Sequence, residues 1–201
     1  MSNLDYGDLL EDTIFPSFII SCKPKVSIEK LIKESYSVKK KYKSTKKSNT
    51  ENSYHSPLFG TNESWNECPF PELKKLEKIT CNFAVNELNN RKYNLKFKEC
   101  YWWTNINQFN SYNLPHIHGR ADLIAVYYVK MPKNCGKLTL MRNDGSHYSN
   151  LYRNNLFLQT FEVPAKEGRL YIMPGHLWHY VDTNINQEDR ISLSYNLYFK
   201  V

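Results

Sequence analysis

The chain has 201 residues, enough for one domain with a sizeable core, and its formal net charge is +7. No apolar run approaches the roughly 20 residues of a membrane-spanning helix, and the acidic start from Met1 to Asp5 lacks the basic and apolar regions of a secretory signal. The five cysteines are odd in number and scattered, without a CxxC pair. We therefore expect reduced thiols in a cytoplasmic protein, and neither a disulfide framework nor a zinc finger.

A run of lysines carries most of the net charge, since removing its six positive charges from +7 leaves +1. These are Lys39, Lys40, Lys41, Lys43, Lys46 and Lys47. We interpret the run as a solvated loop or helix end. The alternative is a nucleic-acid contact, which predicts salt-sensitive binding that is lost when residues 39–47 are neutralised.

The N-terminal half predicts two helices. An apolar run at 13–22, interrupted by Pro16, predicts an edge strand. Ser27 is the expected N-cap of a helix at 27–40, a polar loop follows at 41–66, and Pro71 opens a second amphipathic helix at 70–90. We expect a single domain over 1–201, in which a helical and loop layer at 1–92 packs outside a core at 93–201.

The C-terminal half changes character and predicts short strands separated by turn signals. An almost continuous apolar strand at 121–131 is stopped by Pro132. The other predicted strands lie at 95–103, 137–141, 157–164, 169–173, 178–182 and 190–200. With no helical period between them, these strands favour an antiparallel sandwich or barrel, so the chain is mainly β with N-terminal helices.

Three histidines are candidate metal ligands. His116 and His118 are two residues apart, so in a strand they point the same way with Cα atoms about 6.5 Å apart. His179 is the best placed third ligand. The histidines at 55, 147 and 176 lie in polar or turn segments and are expected at the surface, while Trp102, Trp103 and Trp178 are expected to pack in the core or barrel rim.

The last predicted strand alternates polar and apolar residues. Arg190, Ser192, Ser194 and Asn196 share one face. In an open sheet this face would be wet, whereas in a closed barrel it would line a ligand cavity. There Arg190 and Ser192 would offer a guanidinium and a hydroxyl about 6.5 Å apart, a receptor for a carboxylate.

The order and spacing of these motifs over residues 100–200 resemble the Fe(II)- and 2-oxoglutarate-dependent oxygenases, and most closely the 2OG-Fe(II) oxygenase family common in marine phages and bacteria. That family carries HxH where most relatives carry HxD. The resemblance implies a double-stranded β-helix (a jelly-roll or cupin-like barrel) that binds Fe(II) and 2-oxoglutarate and consumes O2. A viral origin would place the protein in the host cytoplasm.

The resemblance also assigns roles to single residues. His116 matches the first metal ligand, His179 the distal ligand, Arg190 the clamp for the 2-oxoglutarate C5 carboxylate and Ser192 its hydroxyl partner. His118 stands where most relatives have Asp or Glu; Asp122 is a possible substitute, and we prefer His118 as the third ligand. Tyr128 and Asn105 could form hydrogen bonds to the oxoacid, or they could take part only in core packing and internal hydrogen-bond networks.

We therefore predict a dioxygenase that hydroxylates an unidentified substrate, which we expect to be a peptide or small molecule rather than a nucleic acid. A peptidyl side chain such as proline is the simplest expectation. Loops at 41–66, 104–115 and 142–156 are expected to set specificity. One alternative is a three-histidine cupin-type dioxygenase that does not use 2-oxoglutarate. Another is a non-catalytic binding module on the same scaffold, with zinc or without metal.

Overall fold

The computed structural model describes residues 17–45, 50–60, 69–93, 95–142 and 160–200. Within these ranges the helices are α1 (Ile28–Lys41) and α2 (Pro71–Asn90). The strands are β1 (Ile20–Cys22), β2 (Thr50–His55), β3 (Phe59–Gly60), β4 (Lys96–His116), β5 (Leu123–Lys130), β6 (Leu138–Met141), β7 (Thr160–Glu162), β8 (Leu170–Pro174), β9 (Trp178–Val181) and β10 (Arg190–Lys200).

The strands form one curled antiparallel sheet in the order β1-β8-β5-β10-β4-β9-β6-β7, and β2 and β3 also pair with β4. The long strand β4 joins the two layers. Its first part pairs with β10, from Lys96 to Asn107, and its last part pairs with β9, at Asn113 and His116. The sheet therefore folds over on itself along β4, which gives the predicted double-stranded β-helix.

The two faces of the sheet bury different sets of residues. The outer face packs against α1 and α2, and β10 contributes Leu193 and Tyr195 to this core. The inner face forms a smaller apolar cluster that includes Tyr128 and Met173. Because side chains alternate along a strand, β10 turns its polar residues inward, where the closed-barrel interpretation of the sequence placed them.

The two helices cap each other. Ser27 caps α1 as predicted, with its hydroxyl accepting from the Lys30 N–H at 3.4 Å. Glu72, in the first turn of α2, accepts from the Ser27 N–H at 2.8 Å. Glu34 of α1 accepts from the Glu72 and Leu73 N–H groups at 3.1 and 2.8 Å, so it caps a helix that has no side-chain cap of its own.

Lysines 39–41 form the last turn of α1, where positive charge is favourable beside the helix C-terminus. Lys46 and Lys47 lie outside the described residues. Among the described residues, no helix is long and apolar enough to cross a membrane. The described cysteines, at 22, 81, 100 and 135, form no disulfide bond with one another.

Two segments predicted as loops are strands. The segment 41–66 contains β2 and β3, and 104–115 continues β4. Both sequences are polar, so they lack the apolar alternation that indicates a strand. They are strands because β2 pairs with β4, with His55 opposite Asn105 and Tyr54 opposite Ile106. The described part of the first strand is only Ile20–Cys22, and most of the predicted loop 142–156 lies outside the described residues.

Candidate active site

A cavity of about 320 Å³ opens into the barrel between the two layers of the sheet. Its walls carry histidine, asparagine, serine and arginine side chains beside the apolar Trp103, Val126, Leu138 and Val181. Among the described residues, none of those lining it is acidic. The cavity thus suits an anionic ligand that has both polar and apolar groups.

His116, His118 and His179 meet at one end of this cavity. One nitrogen of each ring lies within 4.8 Å of the other two, and the ring centroids are 4.4 to 5.3 Å apart. His116 and His179 are opposite each other on β4 and β9, while His118 follows the end of β4. The backbone N–H of His118 donates to Gly175 O at 3.1 Å, which fixes the segment after β4 to the turn before β9.

Each of these rings has its Nδ1 atom beside an oxygen. His116 Nδ1 is 2.7 Å from Leu114 O, and His179 Nδ1 is 2.8 Å from Leu177 O. His118 Nδ1 is 2.6 Å from Asn196 Oδ1. With the proton on Nδ1, every Nε2 presents a lone pair, and this is the arrangement that holds histidine ligands on metals.

His179 is the most buried of the three, and its pKa is lowered to about 3. Burial is the main cause, and the neighbouring His116 and His118 add to it. The ring is therefore neutral at physiological pH. A neutral imidazole is the form that binds a metal ion.

Arg190 lies in the cavity wall and is 2% exposed. Its Nη1 donates to Cys135 O at 2.6 Å, and no carboxylate of the described residues forms an ion pair with it. Burial lowers the pKa of the guanidinium from its ordinary value. A buried cation without an anionic partner is costly, so this site favours an anion from outside the chain.

Gly136 makes room for this arginine. Its φ is +87°, and a Cβ built on it would lie 2.1 Å from Asp182 O and 2.7 Å from Arg190 Nη1. No residue with a side chain fits there without displacing backbone. The turn after Cys135 thus holds the carbonyl that Arg190 bonds and leaves the guanidinium its space.

Further polar residues surround Arg190 and Ser192. Asn107 is opposite Arg190 on β4, and Ser192 lies between Asn105 on β4 and Tyr128 on β5. Burial raises the pKa of Tyr128 far above its ordinary value, so its hydroxyl stays protonated as a hydrogen-bond donor. Asn105 lines the cavity, but its side chain already accepts from Trp103 Nε1 at 3.1 Å and donates to Ser194 Oγ at 3.0 Å.

Asp122 lies outside the cluster. Its Oδ2 accepts from the Phe199 N–H at 2.7 Å, and its side chain is exposed. The cluster found among the described residues contains His118 and no carboxylate. The structure thus brings together the three histidines that the sequence indicated and leaves the alternative ligand at another place.

One sequence expectation about a ring was wrong. His55 is not at the surface: it is 3% exposed, lies on β2, lines the cavity and stacks on Trp103 with ring centroids 5.3 Å apart. Trp102 and Trp103 are buried in the packing as expected, and Trp103 also forms part of the cavity wall. His176 is exposed in a turn, as predicted, and His147 lies outside the described residues.

Asn196 lines the cavity as the closed-barrel interpretation expected, since it continues the face of Arg190, Ser192 and Ser194. Sequence reasoning gave no role to two other asparagines that line the cavity, Asn107 and Asn113. Nothing in the sequence marks these two, because β4 was not expected to extend beyond residue 103.

Comparison with known proteins agrees with this geometry. Residues 101–196 match the sequence model of a family described as "Putative 2OG-Fe(II) oxygenase". This part of the chain belongs to the 2OG-Fe(II) oxygenase family. The match spans β4 to β10 and includes all three clustered histidines, Arg190 and Ser192. No curated protein matches the chain.

Solved structures of the same fold include several prolyl hydroxylases. A Trichoplax adhaerens prolyl hydroxylase in complex with a hypoxia inducible factor peptide fragment aligns with a TM-score of 0.66 at 10% identity, over 90% of this chain and 83% of that one. A Pseudomonas putida prolyl-4-hydroxylase gives 0.59 at 12%, over 89% and 91%. The viral collagen prolyl hydroxylase of Paramecium Bursaria Chlorella virus-1, in its 2OG complex, gives 0.57 at 13%, over 91% and 96%.

As a 2OG-Fe(II) oxygenase the chain is an oxidoreductase with iron(II) and 2-oxoglutarate as its cofactors and O2 as co-substrate. The described residues fit both cofactors. Three imidazoles converge at one end of the cavity, and three protein ligands leave the other coordination positions of a metal ion open. The same cavity contains the buried guanidinium of Arg190, which has no ion-pair partner among the described residues and can pair with one carboxylate of a dicarboxylate ligand.

Proposed function

We propose that the protein is a hydroxylase in which His116, His118 and His179 hold iron(II) and Arg190 binds the C5 carboxylate of 2-oxoglutarate. The observation that carries this proposal is Arg190 itself. It is a buried cation, it has no ion-pair partner among the described carboxylates, and it lines the same cavity as three clustered imidazoles. A ligand with a carboxylate at one end and metal-binding oxygens at the other satisfies both.

Bound together, the two cofactors supply the oxidising power that inserts one atom of O2 into a C–H bond while 2-oxoglutarate becomes succinate and CO2. The chain's own residues bind, orient and exclude water. Arg190 neutralises the distal carboxylate with a planar fork of donors, and Ser192 and Tyr128 add hydroxyls beside it. The apolar wall formed by Val126, Leu138 and Val181 keeps the space between the two ends poor in water.

The charge of the site supports this assignment. Three neutral imidazoles leave the charge of a divalent metal uncompensated, and Arg190 adds another positive charge to a cavity with no acidic residue among the described ones that line it. A ligand set with one carboxylate would carry one negative charge more. The site therefore has a stronger electrostatic preference for a dianion such as 2-oxoglutarate.

For the primary substrate, we propose a peptidyl side chain such as proline. Two features support it. Ile117 lines the cavity and is 39% exposed, and Leu114, three residues earlier in the chain, is 47% exposed, so apolar side chains flank His116 in the sequence. The fold is also that of prolyl hydroxylases, one of which was solved with a peptide fragment.

The absence of a carboxylate from the described cluster favours a second candidate, a three-histidine dioxygenase that uses no oxoacid. In that enzyme Arg190 would clamp the carboxylate of the substrate. The two candidates differ in one measurable respect: only the hydroxylase consumes 2-oxoglutarate.

The experiment is aerobic incubation of the iron-loaded protein with 2-oxoglutarate, alone and with a library of proline-containing peptides. We expect succinate to form in proportion to a peptide mass increase of one oxygen atom. Arg190→Ala should abolish both products, while Arg169→Ala, a control whose guanidinium bonds the exposed Ser21 hydroxyl away from the cavity, should not. Succinate formation with no peptide change would remove the peptide assignment, and no succinate under any condition would contradict the hydroxylase.

A further inference from the structure

The orientation of His118 is set differently from that of the other two histidines. His116 and His179 have Nδ1 beside the carbonyl oxygen two residues earlier. A carbonyl oxygen only accepts, so those rings carry the proton on Nδ1 whatever the rest of the chain does. His118 Nδ1 faces a remote side chain instead, Asn196 Oδ1 at 2.6 Å, 78 residues away.

We infer that Asn196 is a positioning residue for His118, and that β10 orients this ligand through one direct contact and one indirect contact. The inference rests on the proposed function, because it takes His118 as a metal ligand. The first contact is the hydrogen bond itself. With the amide oxygen as acceptor, the proton stays on Nδ1 and the Nε2 lone pair is available to the metal ion.

The second contact acts on the face of the ring. Trp103 stacks on His118 with centroids 5.7 Å apart and planes 20° from parallel. The Trp103 N–H bonds Asn105, and Asn105 bonds Ser194 on β10. The residue that supports the stack, Ser194, therefore lies on the same strand as Asn196, two residues earlier and on the same cavity-facing side.

These contacts divide the inward face of β10 into two parts. Arg190 and Ser192 face the site of the oxoacid carboxylate, Asn196 bonds the third ligand, and Ser194 supports it through Asn105 and Trp103. One strand thereby sets the position of His118 relative to the carboxylate clamp. The neutral amide of Asn196 orients the His118 ring without adding charge. A carboxylate at position 196 would make the imidazole more basic and therefore a stronger ligand to the metal ion.

The test measures Co(II) affinity by calorimetry without 2-oxoglutarate for Asn196→Leu, Asn196→Ala, Asn196→Asp and a control, Asn90→Ala, at the exposed end of α2. We expect the leucine and alanine variants to bind Co(II) 10- to 100-fold more weakly, the range typical for outer-sphere partners of histidine ligands. Asn196→Asp should bind at least as tightly as the wild type, and Asn90→Ala should equal it.

A second readout does not depend on metal. Long-range ¹H–¹⁵N spectra of the metal-free protein report which ring nitrogen carries the proton. His118 should be the Nδ1–H tautomer in the wild type and in Asn196→Asp, and a mixture in Asn196→Leu, while His116 and His179 stay unchanged in all variants.

Wild-type Co(II) affinity in Asn196→Leu or Asn196→Ala would overturn the inference. Equal loss in the leucine and aspartate variants would also overturn it, because that result indicates packing and not an acceptor for Nδ1. If the wild type itself fails to bind Co(II), both the proposed function and the inference fail. If the wild type binds Co(II) and only the Asn196 variants give the contrary result, the inference alone fails.

Discussion

His116 on β4 and His179 on β9 are direct cross-strand partners, with ring centroids 4.4 Å apart. Their pairing occurs where β4 has left β10 and joined the second layer of the sheet. The candidate metal centre is therefore built at the crossover between the layers. The third histidine is held there by the backbone bond from His118 to Gly175.

The first prediction concerns the third ligand. His118→Ala should weaken Co(II) or Fe(II) binding by at least 100-fold, because two imidazoles remain. Asp122→Asn should leave the affinity unchanged, since this side chain accepts from the Phe199 N–H outside the cavity. Calorimetric titration of both variants under anaerobic conditions checks this; a loss of affinity in Asp122→Asn alone would make Asp122 the ligand.

The second prediction concerns the cost of a buried cation. In the cofactor-free protein Arg190 is buried without an ion pair to any described carboxylate, so Arg190→Met, of similar length, should unfold in urea with a free energy at or above the wild-type value. The same variant should lose 2-oxoglutarate binding. Arg169→Met, at an exposed guanidinium, is the matched control. Lower stability of Arg190→Met with intact 2-oxoglutarate binding would contradict the role of this residue.

The third prediction concerns Gly136. Gly136→Ala should destabilise the protein and weaken 2-oxoglutarate binding, because the new Cβ meets Asp182 O and Arg190 Nη1. Gly168→Ala is the matched control: φ there is +76°, but the nearest atom is the end of the flexible Ile28 side chain at 3.2 Å. The control should cost only the backbone strain, about 1–2 kcal/mol. Equal effects of the two variants on 2-oxoglutarate affinity would show that Gly136 does not shape the clamp.

The fourth prediction uses two adjacent tyrosines on opposite faces of β5. Tyr128 faces the cavity and Tyr127 faces the helices. Tyr128→Phe should weaken 2-oxoglutarate binding by roughly 3- to 10-fold, the value of one neutral hydrogen bond of about 0.5–1.5 kcal/mol. Tyr127→Phe should leave it unchanged. Titration of 2-oxoglutarate into both proteins, each loaded with Co(II), compares them directly; similar affinities for the two variants would exclude the Tyr128 hydroxyl from the cofactor contact.

The sequence predicted the features that depend on local periodicity. The helical spacing from Ile28 and the capping by Ser27 gave α1, and the alternation along 190–200 gave β10 with the same bounds. The HxH pair was also readable, because two residues at strand spacing share a face whatever the strand pairs with.

Features that depend on pairing between distant segments could not be predicted in this way. The polar strand β2 and the second half of β4 carry no apolar alternation, and each is a strand because the other provides its hydrogen-bonding partner. The burial of His55 follows from that pairing. The bond between His118 and Asn196 requires the register of the whole barrel, so their side chains could not be connected from the sequence alone.

The proposed iron and 2-oxoglutarate sites are tested most directly by an anaerobic Fe(II) titration of the protein with and without 2-oxoglutarate, recorded in the visible region. We expect a metal-to-ligand charge-transfer band that requires both Fe(II) and 2-oxoglutarate, disappears in His179→Ala and Arg190→Ala, and persists in Arg169→Ala. Iron binding to the wild type without this band would contradict the 2-oxoglutarate site and favour the three-histidine dioxygenase. No iron binding would contradict the metal centre itself.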